Sequence, residues 1–272
     1  MSLRIQNNVE AFNAHRQLVG TSDKLGKSME RLASGFRINR AADDAAGLAI
    51  SEKLRAQIGG LSQARRNGQD AVSLVQTAEG AMQEVHSILQ RVRDLKVQYL
   101  NGTLSADDRA SIEEEVTQLG QEVARIGSDT NFNGAALLSG TTTITFQVGP
   151  DDGQTITVTG TDLYGAGSSY HVDSAIFSSF SAATIADIDD AIGNVASARA
   201  SFGAAQNRIE HTLANLAAYE ENLQASESRI RDVDMAAEMV TLTKYQILQQ
   251  AGTAMLAQAN LAPQSVLSLL RG

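Results

Sequence analysis

The sequence predicts a mainly α-helical protein: a long antiparallel helical rod, coiled-coil-like in its packing, with a small β-hairpin tip and paired N- and C-terminal helices. Apolar residues recur at steps of 3 and 4 along most of the chain, the period of one helical face. Only two prolines occur, Pro150 and Pro263, leaving 149 residues before the first and 112 between them free of that helix breaker. Aromatics are 4% of the chain and tryptophan is absent, so the core must be built from Leu, Ile, Val, Met and Ala at helical interfaces.

The elements follow in order. Ile5, Val9, Phe12 and Val19, with Leu18, Leu25, Met29, Leu32 and Phe36, mark a first helix ending near Ser34-Gly35. Val75, Ala78, Met82, Val85, Leu89 and Val92 form an uninterrupted a/d heptad seam. Ile112, Val116, Leu119, Val123 and Ile126 repeat the period after SADD, where Ser105 and Asp108 are spaced as a capping box. Residues 139–181 change character: Ile144, Phe146 and Val148, then Ile156 and Val158, alternate around GPDDG and read as a hairpin, followed by loop or short strand through GTDLYGAGSSY and IFSSFSAAT. Ile185, Ile188, Ile192, Val195, Phe202, Ile209, Leu213, Leu216, Leu223 and Ile230 predict one long returning helix from about 182 to 231. Val240, Ile247, Ala254 and Leu261 repeat every seven residues in a C-terminal helix, which Pro263 is expected to break or kink after Asn260. Each terminal helix carries an apolar stripe, and two helices alone leave too much of it in water.

Charge and motifs exclude several classes. Net charge is −9, split as +4 over residues 1–40, −13 over 41–230 and 0 over 231–272, and the acidic middle argues against nucleic acid as a partner. There is no cysteine, and no apolar run is long enough for membrane insertion. The N-terminus lacks the features of a Sec signal peptide, so composition alone expects a soluble intracellular protein unless a leaderless export route is used. His15, His86, His171 and His211 are scattered, DIDDAIGN has Ala198 where a calcium loop needs a bidentate Glu, and no nucleophile or phosphate-loop motif occurs. Asp43-Asp44 and Glu113-Glu114-Glu115 are consecutive and should fan around a helix instead of converging. No catalytic residue, metal site or cofactor is expected. Asn101-Gly102-Thr103 is a formal N-glycosylation triplet with no other support.

Several long segments resemble bacterial flagellin. They are ERLASGFRINRAADDAAGLAISEKLRAQIGGL (30–61), LVQTAEGAMQEVHSILQRVRDLKVQ (74–98), DTNFNGAALLSG (129–140), FGAAQNRIEHTLANL (202–216), ENLQASESRIRDVDMAAEMVTLTKYQILQQAGTAMLAQAN (221–260) and PQSVLSLLRG (263–272). The resemblance implies an inner tube domain made of 1–40 with 231–272, an outer helical rod at 41–230 with a β tip at about 139–181, and a spoke at ASGFRIN. It implies a structural, non-enzymatic subunit, secreted unfolded by type III export, that self-assembles head-to-tail into the flagellar filament used for motility. A hook–filament junction protein is the alternative, and an intracellular coiled-coil scaffold is a rival from another class.

Residues expected at the self-assembly contact are Ile5, Val9, Phe12, Leu25, Leu32, Val240, Ile247 and Met255. Val266, Leu267, Leu269 and Leu270 are expected to meet first an export chaperone and then the inner tube. The implied partners are further copies of the chain, that chaperone, a filament cap protein, hook–filament junction proteins and the host flagellin-sensing toll-like receptor. For the receptor, the family's motif falls on Gln90, Arg91, Leu95, Glu115 and Gln118.

Overall fold

The computed structural model describes residues 7–140, 142–163 and 171–271, with side chains through Leu261. The elements run α1 (Val9–Ser34), α2 (Ala45–Tyr99), α3 (Ala106–Asp129), β1 (Asn131–Phe132), β2 (Ala135–Ala136), β3 (Thr143–Gln147), β4 (Thr155–Thr159), α4 (Ala175–Ser178), α5 (Ile185–Arg231) and α6 (Met235–Arg271). They fall into two compact units, 57–221 and 1–56 with 222–272. Both boundaries between these units fall inside helices, one within α2 and one within α5.

In the unit 57–221 the core follows the heptads. Val75, Ala78, Met82, Val85, Leu89 and Val92 of α2 are fully buried, as are Ile188, Val195, Phe202 and Ile209 of α5. Each large aliphatic so buried contributes about 1.5–3 kcal/mol relative to exposure. The two helices are antiparallel: Arg65 pairs with Glu220 at 2.8 Å, Glu79 with Arg199 at 3.7 Å, and Arg93 with Asp189 at 2.6 Å. Exposed pairs of this kind are worth at most about 1 kcal/mol, so they record the register more than they enforce it. Helix α3 begins at the Ser105–Asp108 capping box and buries Ile112, Val116 and Val123. Gly120 is required there, since a Cβ would lie 2.6 Å from Phe177 of α4.

The hairpin forms in the expected register, with Ile144 opposite Val158 and Phe146 opposite Ile156, and Gly153 takes φ 84° in its turn. Its strand end is tied to α2 by Asn67 Nδ2, which donates to the Gln147 carbonyl at 2.9 Å. Three features differ from expectation. IFSSFSAAT contains a short helix, α4, instead of only loop or strand, because Ile176, Phe177 and Phe180 are drawn into the core despite the surrounding serines. A second hairpin, β1–β2, turns through Asn133 and Gly134 at φ 50° and 81°. Asp43 and Asp44 do not lie on a helix: both precede α2, where Asp43 accepts the Asn39 and Arg40 N–H groups and Asp44 accepts the Gly47 N–H. The returning helix starts at Ile185, behind a reciprocal cap in which Thr184 and Asp187 exchange hydrogen bonds.

In the other unit α1 ends at Ser34 with Gly35 in the left-handed conformation, φ 76°. Residues 35–37 then meet 231–233 in a short bridge: Arg37 N–H donates to the Arg231 carbonyl at 2.6 Å, and Val233 N–H to the Gly35 carbonyl at 3.0 Å. The Arg231 guanidinium lies 4.8 Å from the Phe36 ring centre and 2.7 Å from Glu52.

Candidate functional site

Helices α1 and α6 pair antiparallel. Asn8 meets Ala259, Leu18 lies beside Gly252, and Arg31 reaches Glu238 at 3.8 Å. The pairing is lean: among the described residues its buried side chains are Ser28 from α1 and Leu242 from α6. Val9, Phe12, Val19 and Met29 of α1 remain exposed, as do Met235, Met239, Val240, Ile247, Leu248, Met255 and Leu261 of α6. Phe12 is 70% exposed and Val240 72%. A groove of ≈ 870 Å³ runs between the helices, lined by Leu18, Tyr245, Leu248, Ala251 and Met255, with Glu10 and Lys24 among its polar wall. A second apolar patch is formed by Met239, Val240 and Ile247 with the stem of Lys244. Scattered exposed aliphatics are ordinary, but two continuous stripes along a helix pair are what an interface presents.

The expected contact residues divide accordingly. Val9, Phe12, Val240, Ile247 and Met255 lie exposed, Leu25 and Leu32 are half-buried, and Ile5 is outside the described residues. The side chains of Val266, Leu267, Leu269 and Leu270 also lie outside them. Pro263 does not break α6, which continues to Arg271. Proline's fixed φ suits a helix, and what it removes is the N–H that would serve the carbonyl four residues back, that of Ala259. Asn8 Nδ2 donates to this same carbonyl at 2.7 Å, while Asn8 Oδ1 caps α1 by accepting the Ala11 N–H at 3.0 Å. One side chain thus serves the start of α1 and the orphaned carbonyl of α6.

The five residues expected at the receptor surface belong to the unit 57–221. Arg91 and Glu115 form an exposed ion pair at 2.8 Å between α2 and α3. Gln90 and Gln118 are exposed, whereas Leu95 is 2% exposed and packs in the core, so the folded chain does not offer it as a surface contact. Its place on the helix turns it inward beside Val92 and Lys96.

Next to Leu95, Lys96 is a charged residue buried in the core. It is 1% exposed, and its Nζ donates to the Phe180 carbonyl at 2.6 Å and lies 4.7 Å from the Phe180 ring centre and 5.1 Å from that of Tyr99. Burial pulls its ammonium below the usual lysine range. Tyr99 in turn donates to Glu113 at 2.7 Å, which raises the phenol. The signal was present: stepping 4 and 3 beyond Val92 continues the seam onto Lys96 and Tyr99. Among the described residues no group of His, Asp and Glu is arranged to hold a metal ion, and no helix is long and apolar enough to cross a membrane.

Comparison with known proteins accounts for almost the whole chain. Residues 5–143 match the bacterial flagellin N-terminal helical region and residues 185–270 the bacterial flagellin C-terminal helical region. A flagellin of Halalkalibacterium halodurans is 51% identical over 98% of this chain and 99% of its own. A flagellin of Bacillus subtilis is 48% identical over 99% of this chain and 100% of its own. A solved Vibrio parahaemolyticus chain described as a flagellar hook-associated protein shares the fold, with TM-score 0.56 and 15% identity over 70% of this chain and 100% of that one.

Proposed function

The chain belongs to the bacterial flagellin family, and from that premise we propose that the exposed stripes of α1 and α6 are the contact through which one copy binds the next. As a flagellin it is a structural subunit of the extracellular flagellar filament that serves motility, not an enzyme. Full-length identity near one half to flagellins outweighs the hook–filament junction alternative, with which only a fold is shared.

The observation that carries the proposal is the α1–α6 pair: two helices with Phe12, Val240, Ile247 and Met255 in water cannot complete their own core. Val9, Leu25 and Leu32 extend the same contact, and Ile5 continues the α1 stripe by sequence. If the stripe of one copy fits a different surface of the next, the contact is heterologous and does not close, and repetition yields a helical filament. In this reading 1–40 with 231–272 builds the inner tube and 41–230 the outer rod. Val266, Leu267, Leu269 and Leu270 are covered by an export chaperone before unfolded passage through the type III channel, then by the tube; folding occurs beneath a cap protein, beyond the junction proteins. Deleting residues 235–272 should leave a chain that forms no filaments while the helical signal of 57–221 persists. Filaments in electron micrographs of that deletion would defeat the reading.

A second property of the same chain is recognition of the monomer by the flagellin-sensing toll-like receptor. It is favoured by the exposure of Gln90, Arg91, Glu115 and Gln118 on one surface of α2 and α3, with Leu95 supporting from below. Arg91→Ala should lower potency in a receptor-reporter assay; undiminished potency would remove these residues from the contact.

A further inference from the structure

Three Asn-Gly pairs occur, at 67–68, 101–102 and 133–134. In such a pair the backbone nitrogen of glycine can attack the asparagine side-chain carbonyl carbon, because no Cβ on the following residue screens the approach. Reaction needs a side chain free to swing over the next peptide and a nitrogen not held by the fold, and the helical pair 67–68 lacks that freedom.

Asn67 lies inside α2. Its Oδ1 accepts from Gln63 Nε2 at 2.9 Å and its Nδ2 donates to the Gln147 carbonyl at 2.9 Å. Gly68 is packed so closely that a Cβ would come within 2.7 Å of Leu213. Asn133 and Gly134 are held at φ 50° and 81° as the two residues of a turn closed by the Phe132–Ala135 pair. Asn101 stands outside the helices, exposed between α2 and α3. Among the described residues its side chain is held by the Thr103 N–H alone, which donates to Oδ1 at 3.3 Å. Nothing lies within 4 Å of the position a Cβ on Gly102 would take, and no hydrogen bond of the Gly102 N–H is formed among the described residues.

We propose that Asn101 is a site of spontaneous deamidation, for which the fold selects it over Asn67. The Gly102 nitrogen gives its proton to solvent and bonds to Asn101 Cγ; the Cγ–Nδ2 bond breaks, and Nδ2 leaves as ammonia. Water then opens the resulting succinimide at either carbonyl, giving aspartate or isoaspartate, with no change of oxidation state. The product adds one negative charge to the loop, and the isoaspartate form routes the backbone through one extra methylene. Because this loop contributes to neither helix, α2 and α3 can keep their packing while the surface changes.

The test is peptide mapping by mass spectrometry of the purified full-length chain, incubated at neutral and mildly alkaline pH in 18O-labelled water. Labelled aspartate and isoaspartate should accumulate at 101 while 67 stays an amide, and both should convert once the chain is denatured. Gly102→Ala fits the open space without displacing any atom, so it should leave the circular dichroism spectrum unchanged and slow conversion at 101 to the level of the helical pair. The proposal fails if 101 stays an amide, if 67 converts as fast in the folded chain, or if Gly102→Ala has no effect.

Discussion

Replacing Phe12 by alanine should raise the critical concentration for polymerisation while leaving the monomer folded. Phe12 is 70% exposed on α1, so it contributes little to the isolated chain. Burying a phenylalanine side chain removes about 150–250 Å² from water, of which the exposed share here is ~100–175 Å². At ~25 cal/mol per Å² this corresponds to ~2.5–4.5 kcal/mol available to a filament contact. Alanine retains Cβ and a partner surface covers less than everything, so the expected loss is ~2 kcal/mol, roughly thirtyfold in critical concentration at ~1.4 kcal/mol per factor of ten. Seeded polymerisation over a concentration series, followed by sedimentation, measures that value directly, and a circular dichroism melt of the monomer checks the fold. A critical concentration equal to that of the parent chain would refute the placement of Phe12 in the contact.

Asn8 and the capping aspartates give further tests. Asn8→Ala removes an N-cap, worth about 0.5–2 kcal/mol, together with the donor to Ala259, and should speed hydrogen exchange at the Ala11 amide. Asn8→Asp keeps an acceptor for Ala11 but has none of the amide donors, so it should preserve protection at Ala11 while loosening α1 from α6 near Ala259. Hydrogen bonds from Ser105 and Thr184 hold Asp108 and Asp187 below the usual carboxylate range. Their caps therefore contribute stability that is fully present above the ordinary aspartate pKa of 3.8 and is lost as pH falls through the lower native values. An acid titration followed by circular dichroism should show a shallower loss of helix between those limits for the double variant Asp108→Asn and Asp187→Asn than for the parent chain.

Much of this was legible in the linear chain because helices write their packing into a short period. The seam from Val75 to Val92 is buried residue for residue, and Ser105–Asp108 and Gly35 start and stop helices as their chemistry requires. Lys96 escaped notice because a charged residue in a heptad position reads as the end of a seam; its burial depends on the carbonyl and ring of Phe180, far away in sequence. Leu95 lies in the same core, and its sequence motif does not say which face of α2 its neighbours cover. The helix α4 was unreadable from IFSSFSAAT because serine-rich composition signals loop, and only the core beside Gly120 explains why Ile176 and Phe177 fold inward.

Sequence by itself determined the helical class, the central hairpin, the family, and the unsatisfied stripes on the terminal helices, all of which depend on local period or on residue identity. Tertiary structure alone decided which members of each stripe stay exposed, that Lys96 is a core residue, and that α6 continues past Pro263. The last case shows the physical reason. A proline's cost to a helix is set by the carbonyl it leaves unpaired, and whether that carbonyl finds a donor depends on a residue distant in the chain, here Asn8 at 2.7 Å from the oxygen of Ala259.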